Sequence, residues 1–506
     1  MSNSRVANTK RNIAWSFVDY AVTILFQFAS RTIIVQILGK EYLGLSSLFT
    51  SILQVLNMTE LGFSSAIIYN LYKPIANHDD EAVCALLAFY KKIYKVVGCI
   101  ILFIGIGISP FLRQLIEGDV PANVNIYVLY FLYLANTAVS YFVFAYKSSL
   151  LNALQRMDLT KIAYSIVNVS QCFFQIIVLL LFRNYYLFVI GTIIGTMARN
   201  ILAAYFAKKK YPQYVSRGTV PDHVRKDIWH RVKGLLITRI SGVTYNTFDS
   251  IILSAMVGLV SVANYNNYWT IYGTVETIII LVRHSMQASV GNSVASESVE
   301  KNLGDIFVWQ FLFSMIAIWC SCCLLCLYQP FMLLWMGNDS LLPNIDVILL
   351  SLLFMVSTVQ HAFCLYLSAN GLWWELRWPY IISTIANIIM NLVFCGLWGT
   401  TGIILATLIA QLVFGMIWQC AIIFKEYFKT SGFIYYKKQL LYFVIGVVVC
   451  VISYLICMQI RTDGIAGLII KAIISATTPL IILLTLFRKT EEFERCKSIV
   501  LSILHK

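Results

Sequence analysis

Charge is scarce in this 506-residue chain: Asp, Glu, Lys and Arg make up 12% of it, against 59% hydrophobic residues. Soluble domains carry about 25% charged and 45–50% apolar residues, so a water-soluble globular or secreted fold is excluded at the outset. Histidine is scarce too, with six scattered residues, and no His-Glu-x-x-His zinc helix occurs. A Walker loop and a dinucleotide glycine fingerprint are equally absent from the sequence. Only nine prolines interrupt the chain. Pro74, Pro121, Pro330 and Pro379 are expected at helix ends, and Pro479 alone well inside a helix. None of the thirteen cysteines falls in an expected outer loop, which excludes a disulfide framework. Cys320, Cys322, Cys323 and Cys326 have no His or carboxylate close in sequence, and they read as small packing residues rather than metal ligands.

What the chain has instead is apolar runs of about 20 residues from end to end, with a mean hydropathy of +0.76. They predict an all-α integral membrane protein of about fourteen spans. The spans are placed near 12–37, 43–67, 93–112, 124–146, 162–182, 187–206, 234–257, 264–288, 303–327, 344–366, 378–398, 401–424, 438–458 and 464–487. The first run is too long for a signal-peptide core and holds Asp19 and Arg31, so it reads as a retained span. Trp373, Trp374 and Trp378 flank a span as interfacial aromatics do.

A net charge of +14 invites an anionic partner, but its distribution explains it otherwise. With the N-terminus cytoplasmic, only Lys40, Arg113, Arg183 and Arg461 fall in outer loops, and Arg31, Arg199, Arg239, Arg283 and Lys471 fall within spans. The remainder of the 38 basic residues lie on the cytoplasmic side. That asymmetry is the positive-inside rule for an even number of spans, with both termini cytoplasmic, and it needs no nucleic acid.

Spans 1–6 and 7–12 read as two copies of one unit. An offset of 219 residues lays Leu38-Gly39 over Val257-Gly258 and Asn168 over Asn387. Six spans return the chain to its starting side, so the copies are parallel repeats, an arrangement in which substrate binds at their interface. The expected organisation is a six-helix lobe over 1–207, a basic cytoplasmic linker over 208–233, a second six-helix lobe over 234–427, and two extra helices with a tail over 428–506. The linker carries eight basic residues and reads as a solvated connection, or as a grip on anionic lipid headgroups. Asp79, Asp80 and Glu81 read as the first turn of a helix, where carboxylates offset the macrodipole.

Ionisable groups inside a bilayer cost at least about 2.5–3.5 kcal/mol each, so they face a cavity or a partner. Asp19 and Arg31 lie in span 1, Glu60 in span 2, Arg239 and Asp249 in span 7, and Glu276 and Arg283 in span 8. Corresponding helices of both units thus carry most of the buried charge. Glu276 and Arg283 share a helix face, about 10 Å apart in height, whereas Asp19 and Arg31 lie about 18 Å apart along their helix and cannot pair. The alternative for each is a structural ion pair or a side chain snorkelling to the interface, the latter being the expectation for Arg199 and Lys471. A mixed-charge chamber of this kind suits a phosphate or diphosphate held by the arginines. Its carboxylates suit proton or sodium coupling, and no other cofactor is expected.

The stretch Ile37-Leu-Gly-Lys-Glu-Tyr-Leu-Gly-Leu45, then Glu60-Leu-Gly-Phe-Ser-Ser-Ala66 and Leu71-Tyr-Lys-Pro74, resembles the Wzx-type polysaccharide-repeat flippases of the multidrug/oligosaccharidyl-lipid/polysaccharide exporter superfamily. The resemblance implies a transporter, not an enzyme, in the bacterial cytoplasmic membrane. Its substrate would be an undecaprenyl-diphosphate-linked oligosaccharide, moved between leaflets by alternating access for surface polysaccharide. It further implies membrane lipids, a polysaccharide polymerase and glycosyltransferases as partners, and spans 13 and 14 as a groove for the lipid tail. By that likeness Arg31, Arg239 and Arg283 are candidates for headgroup contact, and Asp19, Glu60, Asp249 and Glu276 for coupling. The rivals are a cation-coupled multidrug exporter, disfavoured by spans 13 and 14, and a membrane glycan polymerase or glycosyltransferase, disfavoured by the lack of a large loop.

Overall fold

The computed structural model describes residues 2–57, 63–118, 120–222, 224–226, 228, 247–460, 462 and 464–504. Glu60 and Arg239 lie outside the described residues.

The described residues are almost wholly helical. The helices are α1 (Ser2–Ile37), α2 (Lys40–Asn57), α3 (Phe63–Ala76), α4 (Asp80–Ile108), α5 (Ile126–Phe142), α6 (Ala145–Ala153), α7 (Met157–Phe182) and α8 (Tyr185–Lys210). They continue with α9 (Thr247–Met256), α10 (Leu259–Ser296), α11 (Val299–Met336), α12 (Asn344–Ala369), α13 (Arg377–Trp398), α14 (Thr400–Phe428), α15 (Phe433–Met458), α16 (Gly464–Phe487) and α17 (Glu491–Leu504). Ten helices among the described residues are long and apolar enough to cross a membrane, and α5 with α6 forms a further span bent by 47°. The expected spans on α2 and α10 are too polar to join them, because Asn264, Asn266, Asn267, Glu276, Arg283 and His284 interrupt α10. Large apolar side chains such as Leu25, Phe103, Leu181, Phe433 and Ile465 are exposed. In water such a surface would aggregate, whereas in a bilayer it faces lipid.

Local chemistry sets the helix ends. Asp79 caps α4 by accepting from the Ala82 amide at 2.9 Å, with Asp80 and Glu81 in the first turn. Asn125 and Asn184 cap α5 and α8 in the same way. One expectation about proline needs correction: Pro330 lies inside α11, which runs on to Met336, whereas Pro74 stands in the last turn of α3, at a helix end. Apolar windows shorten a helix that projects beyond the hydrocarbon layer, and packed neighbours satisfy the carbonyls that proline frees.

The 219-residue offset reappears as local geometry. Gly39 and Gly258 have φ of 113° and 112°, a conformation that glycine adopts without strain. Each donates its amide five residues back, Gly39 to Ile34 and Gly258 to Leu253, and these carbonyls also correspond. By the same offset α1 and α9 end together, α2 and α10 begin together, and α4 and α11 begin together with Asp79 and Ser298 as their caps. The starts of α5 and α12, and of α7 and α13, agree to within a residue.

The chain divides into two compact units, Met1–Ala263 and Asn264–Lys506. In the first, a buried core of Leu45, Leu48, Phe49, Leu87, Tyr90, Leu129 and Tyr130 joins α2, α4 and α5. In the second, Phe311, Ala317, Ile318, Met355, Tyr442, Val449 and Phe487 join α11, α12, α15 and α16. The cysteine cluster of α11 packs here, with the sulfur of Cys322 3.2 Å from that of Cys450.

Candidate functional site

In the first unit, polar side chains recur along one face of α7: Lys161, Ser165, Asn168, Gln171 and Gln175, spaced by three and four residues. Asp19 of α1, buried at 7% exposure, meets this stripe. Its carboxylate accepts from the Lys161 ammonium at 2.8 Å and the Ser165 hydroxyl at 3.4 Å. Further along, Gln175 donates to the Phe188 carbonyl and the Thr192 hydroxyl, both at 2.9 Å.

Arg199 of α8 was expected to snorkel, and the structure overturns that. Its guanidinium turns inward, donating to Asn168 at 3.0 Å and to Thr196 at 2.9 Å, with the Tyr164 ring 5.9 Å away. The two fixed acceptors match the guanidinium fork, and a half-buried charge satisfied there has no need to reach the interface. Beside this network lies a cavity of about 390 Å³, whose polar wall includes Ser148, Asn152, Thr160, Lys161, Tyr164 and Asn200. Ser148 Oγ, Asn152 Oδ1 and Thr160 Oγ1 are buried there without hydrogen-bond partners. A wall of hydroxyls and amides with one lysine can receive a hydroxyl-rich or anionic ligand. A wider cleft of about 1400 Å³ lies between α3 and residues 217–224, and none of the expected site residues lines it.

Arg31 is half-buried on α1, within electrostatic range of Tyr185. The Tyr185 hydroxyl lies 2.8 Å from that of Tyr133, which donates to Ser46 at 2.8 Å. Arg31 therefore belongs to a tyrosine-rich network, apart from Asp19. Asp249 is fully buried in α9, beside Thr247, which donates to Gln54 of α2 at 3.4 Å.

In the second unit, Glu276 of α10 meets His361 of α12, with Oε1 to Nε2 at 3.0 Å. One turn earlier on both helices, the hydroxyls of Tyr272 and Ser357 are paired. Both pairs are 85 residues apart in sequence. A constant separation means that α10 and α12 run parallel and in register, as spans 8 and 10 should in an alternating bundle. Arg283 does not meet Glu276; it lies beside Cys364 and Tyr380, and its Nε has no hydrogen-bond partner. The helix face shared by Glu276 and Arg283 thus serves two partners on neighbouring helices.

On α13, Asn387 and Asn391 are both fully buried; Asn391 donates to Asn387 at 3.3 Å, and Asn387 donates to Thr407 of α14 at 3.2 Å. α14 is locally π-helical from Gln411 to Trp418, and Gln411 accepts from Gln360, the neighbour of His361, at 3.2 Å. π-Helical turns are rare and gather at functional sites.

Lys161, Arg199 and His361 were not among the expected site residues. The spacing of the α7 stripe carries a signal for Lys161, which sits just outside the apolar window. Nothing in the spacing of one chain joins His361 to a carboxylate on a different helix.

The chain matches the family model described as "Polysaccharide biosynthesis protein" over residues 9–290. No curated protein matches it in sequence. Among solved structures, it is similar to "Lipid II flippase MurJ, inward closed conformation", at 16% identity and a TM-score of 0.67, covering 94% of this chain and 99% of that one. It is also similar to an inward-facing "multidrug resistance MATE family transporter of the MOP superfamily", at 16% identity and a TM-score of 0.60, covering 78% of this chain and 93% of that one. A mutant of the Vibrio cholerae MATE transporter VcmN follows at 11% identity and a TM-score of 0.58, covering 85% of this chain and all of that one. These neighbours are flippases and transporters rather than enzymes. The multi-pass chain therefore belongs to the polysaccharide biosynthesis protein family and has the fold shared by flippases and transporters of the MOP superfamily.

Proposed function

We propose that this protein translocates undecaprenyl-diphosphate-linked oligosaccharide repeat units across the bacterial cytoplasmic membrane, with both termini cytoplasmic, for surface polysaccharide assembly. The family match over residues 9–290 carries the reading. The higher TM-score to a lipid II flippase, 0.67 against 0.60 and 0.58 for two MATE transporters, supports a lipid-linked cargo. The relatives are inward-closed and inward-facing, and another is outward-facing, which supports a cycle of alternating access.

Arg31, Arg239 and Arg283 are proposed to contact the diphosphate, where a planar guanidinium gives bidentate recognition. Asp19, Glu60, Asp249 and Glu276 are proposed as coupling carboxylates. The paired Asp19 fits a structural or gating role, while Glu276, held by a histidine, suits proton exchange. Transport of this kind makes polymerase and glycosyltransferases natural partners. A multidrug exporter remains the second reading, favoured by the shared fold with MATE transporters.

The test is a gene deletion complemented by wild type or by Arg31→Ala. Loss of surface glycan with accumulated lipid-linked oligosaccharide, reversed by wild type and poorly by Arg31→Ala at equal protein level, supports the reading. Intact surface glycan with new sensitivity to cationic drugs in the deletion overturns it in favour of the exporter.

A further inference from the structure

The pairing of Glu276 with His361 has a chemistry of its own. Both groups lie inside their helices: each is about 25 Å along its helix from the first residue of α10 or α12 and about 12 Å or more from the last. His361 is 7% exposed, and the Glu276 side chain 15%. One edge of the pair is satisfied by the 3.0 Å contact. The other edge, Glu276 Oε2 and His361 Nδ1, is buried without a hydrogen-bond partner.

Three protonation states are available. With neutral imidazole and carboxylate the pair carries one negative charge. One added proton gives imidazolium with carboxylate, or imidazole with carboxylic acid, and either has no net charge. A second proton gives a net positive pair. Low dielectric favours the singly protonated, net-neutral pair, so exchange into or out of that state moves one proton.

The surroundings are consistent with that count. On α10 the facing groups are Tyr272, whose hydroxyl is tied to Ser357, and Arg283 and His284 further along. On α11 they are Cys320 and the ring of Phe313, 5.7 Å from the imidazole. Cys364 on α12 and Tyr380 on α13 face Arg283. No second carboxylate faces the pair among these. A hard cation takes a cage of oxygens. Here a nitrogen occupies one side of the carboxylate.

We infer that Glu276 and His361 form a one-proton site, selective against sodium, through which transport is coupled. This deepens the transport reading and rests on it for the word coupled, but proton binding itself is measurable without cargo. Purified protein in lipid vesicles is titrated by infrared difference spectroscopy, as wild type, Glu276→Gln, Glu276→Asp and His361→Gln. The expected result is one titration with linked carboxyl and imidazole signals, lost in Glu276→Gln and His361→Gln and kept, with a displaced midpoint, in Glu276→Asp. A titration unchanged in Glu276→Gln or His361→Gln overturns the inference. So does a sodium-induced spectrum at constant ionic strength that Glu276→Gln abolishes. In cells, export by His361→Gln is expected to lose the response to a protonophore that wild type shows, and a retained response overturns the coupling. If deletion leaves lipid-linked oligosaccharide pools unchanged, the transport reading falls, while the infrared titration still decides the proton site.

Discussion

The carboxylate of Asp19 is held 2.8 Å from the ammonium of Lys161, so the charge on α1 that sequence alone leaves unmatched is neutralised by α7. Asp19 is buried, whereas Lys161 keeps 29% of its side chain exposed. Removing the lysine strands a buried carboxylate, whereas removing both charges does not. Lys161→Gln is expected to lower stability by about 3 kcal/mol, and adding Asp19→Asn to it to restore most of the loss. Thermal unfolding of the four proteins in detergent, as a double-mutant cycle, measures the difference. Additive losses in the double variant would show that the pair is not the reason for either.

Arg199 serves two acceptors at once from the two terminal nitrogens of a rigid planar fork, a geometry that the single ammonium of lysine does not reproduce. Arg199→Lys should therefore lose most of the stability that Arg199→Leu loses, by the same unfolding assay. A lysine variant as stable as wild type would return Arg199 to the interface.

Gly44 meets a backbone rather than a side chain. A Cβ there would stand 2.2 Å from the Leu259 carbonyl oxygen, while one at Gly273 meets nothing within 4 Å. Gly44→Ala should force the backbone apart and cost about 1–3 kcal/mol, and Gly273→Ala should be neutral or slightly stabilising. The paired Tm values check this directly.

α17 is fastened by Lys438 to Glu492 and by Arg495 to Asp305, and Phe493 packs against Phe311. Burial alone would raise the Glu492 carboxyl, but the Lys438 hydrogen bond and the charges of Lys438 and Arg495 outweigh it and hold it below its ordinary value. A carboxyl held low in the folded state stabilises above its unfolded value, and that stabilisation fades as pH falls through the folded value. Docking of α17 should therefore be flat across neutral pH and weaken below about pH 4. Hydrogen exchange of α17 reads it, and Glu492→Gln should remove the acid dependence while raising exchange modestly at pH 7. The pair is partly exposed, so its worth is about 0.2–1 kcal/mol. Cys496, whose thiol burial pushes up to about 11, should stay unreactive until α17 undocks.

Much of this was legible in the sequence because bilayer physics acts on one-dimensional patterns. Apolar length gives spans, and the 219-residue offset gives a repeat whose Gly39 and Gly258 turns the structure reproduces bond for bond. The charged positions were legible for the same reason, since Asp19, Asp249 and Glu276 are all largely or wholly buried. Their partners were not. Lys161 and His361 stand 142 and 85 residues from the carboxylates they meet, and only helix packing brings them there. Arg199 was misjudged because nearness to a helix end in sequence says nothing of which way a side chain turns.

The account turns on which leaflet holds the lipid-linked oligosaccharide when this protein is removed. The most direct measurement is the fraction of that lipid accessible to a membrane-impermeant periodate or lectin probe in spheroplasts, before and after depletion of the protein. The account predicts a pool that grows and becomes inaccessible from outside, and that regains accessibility when the wild-type protein returns. A pool that stays accessible at its original size after depletion would contradict it.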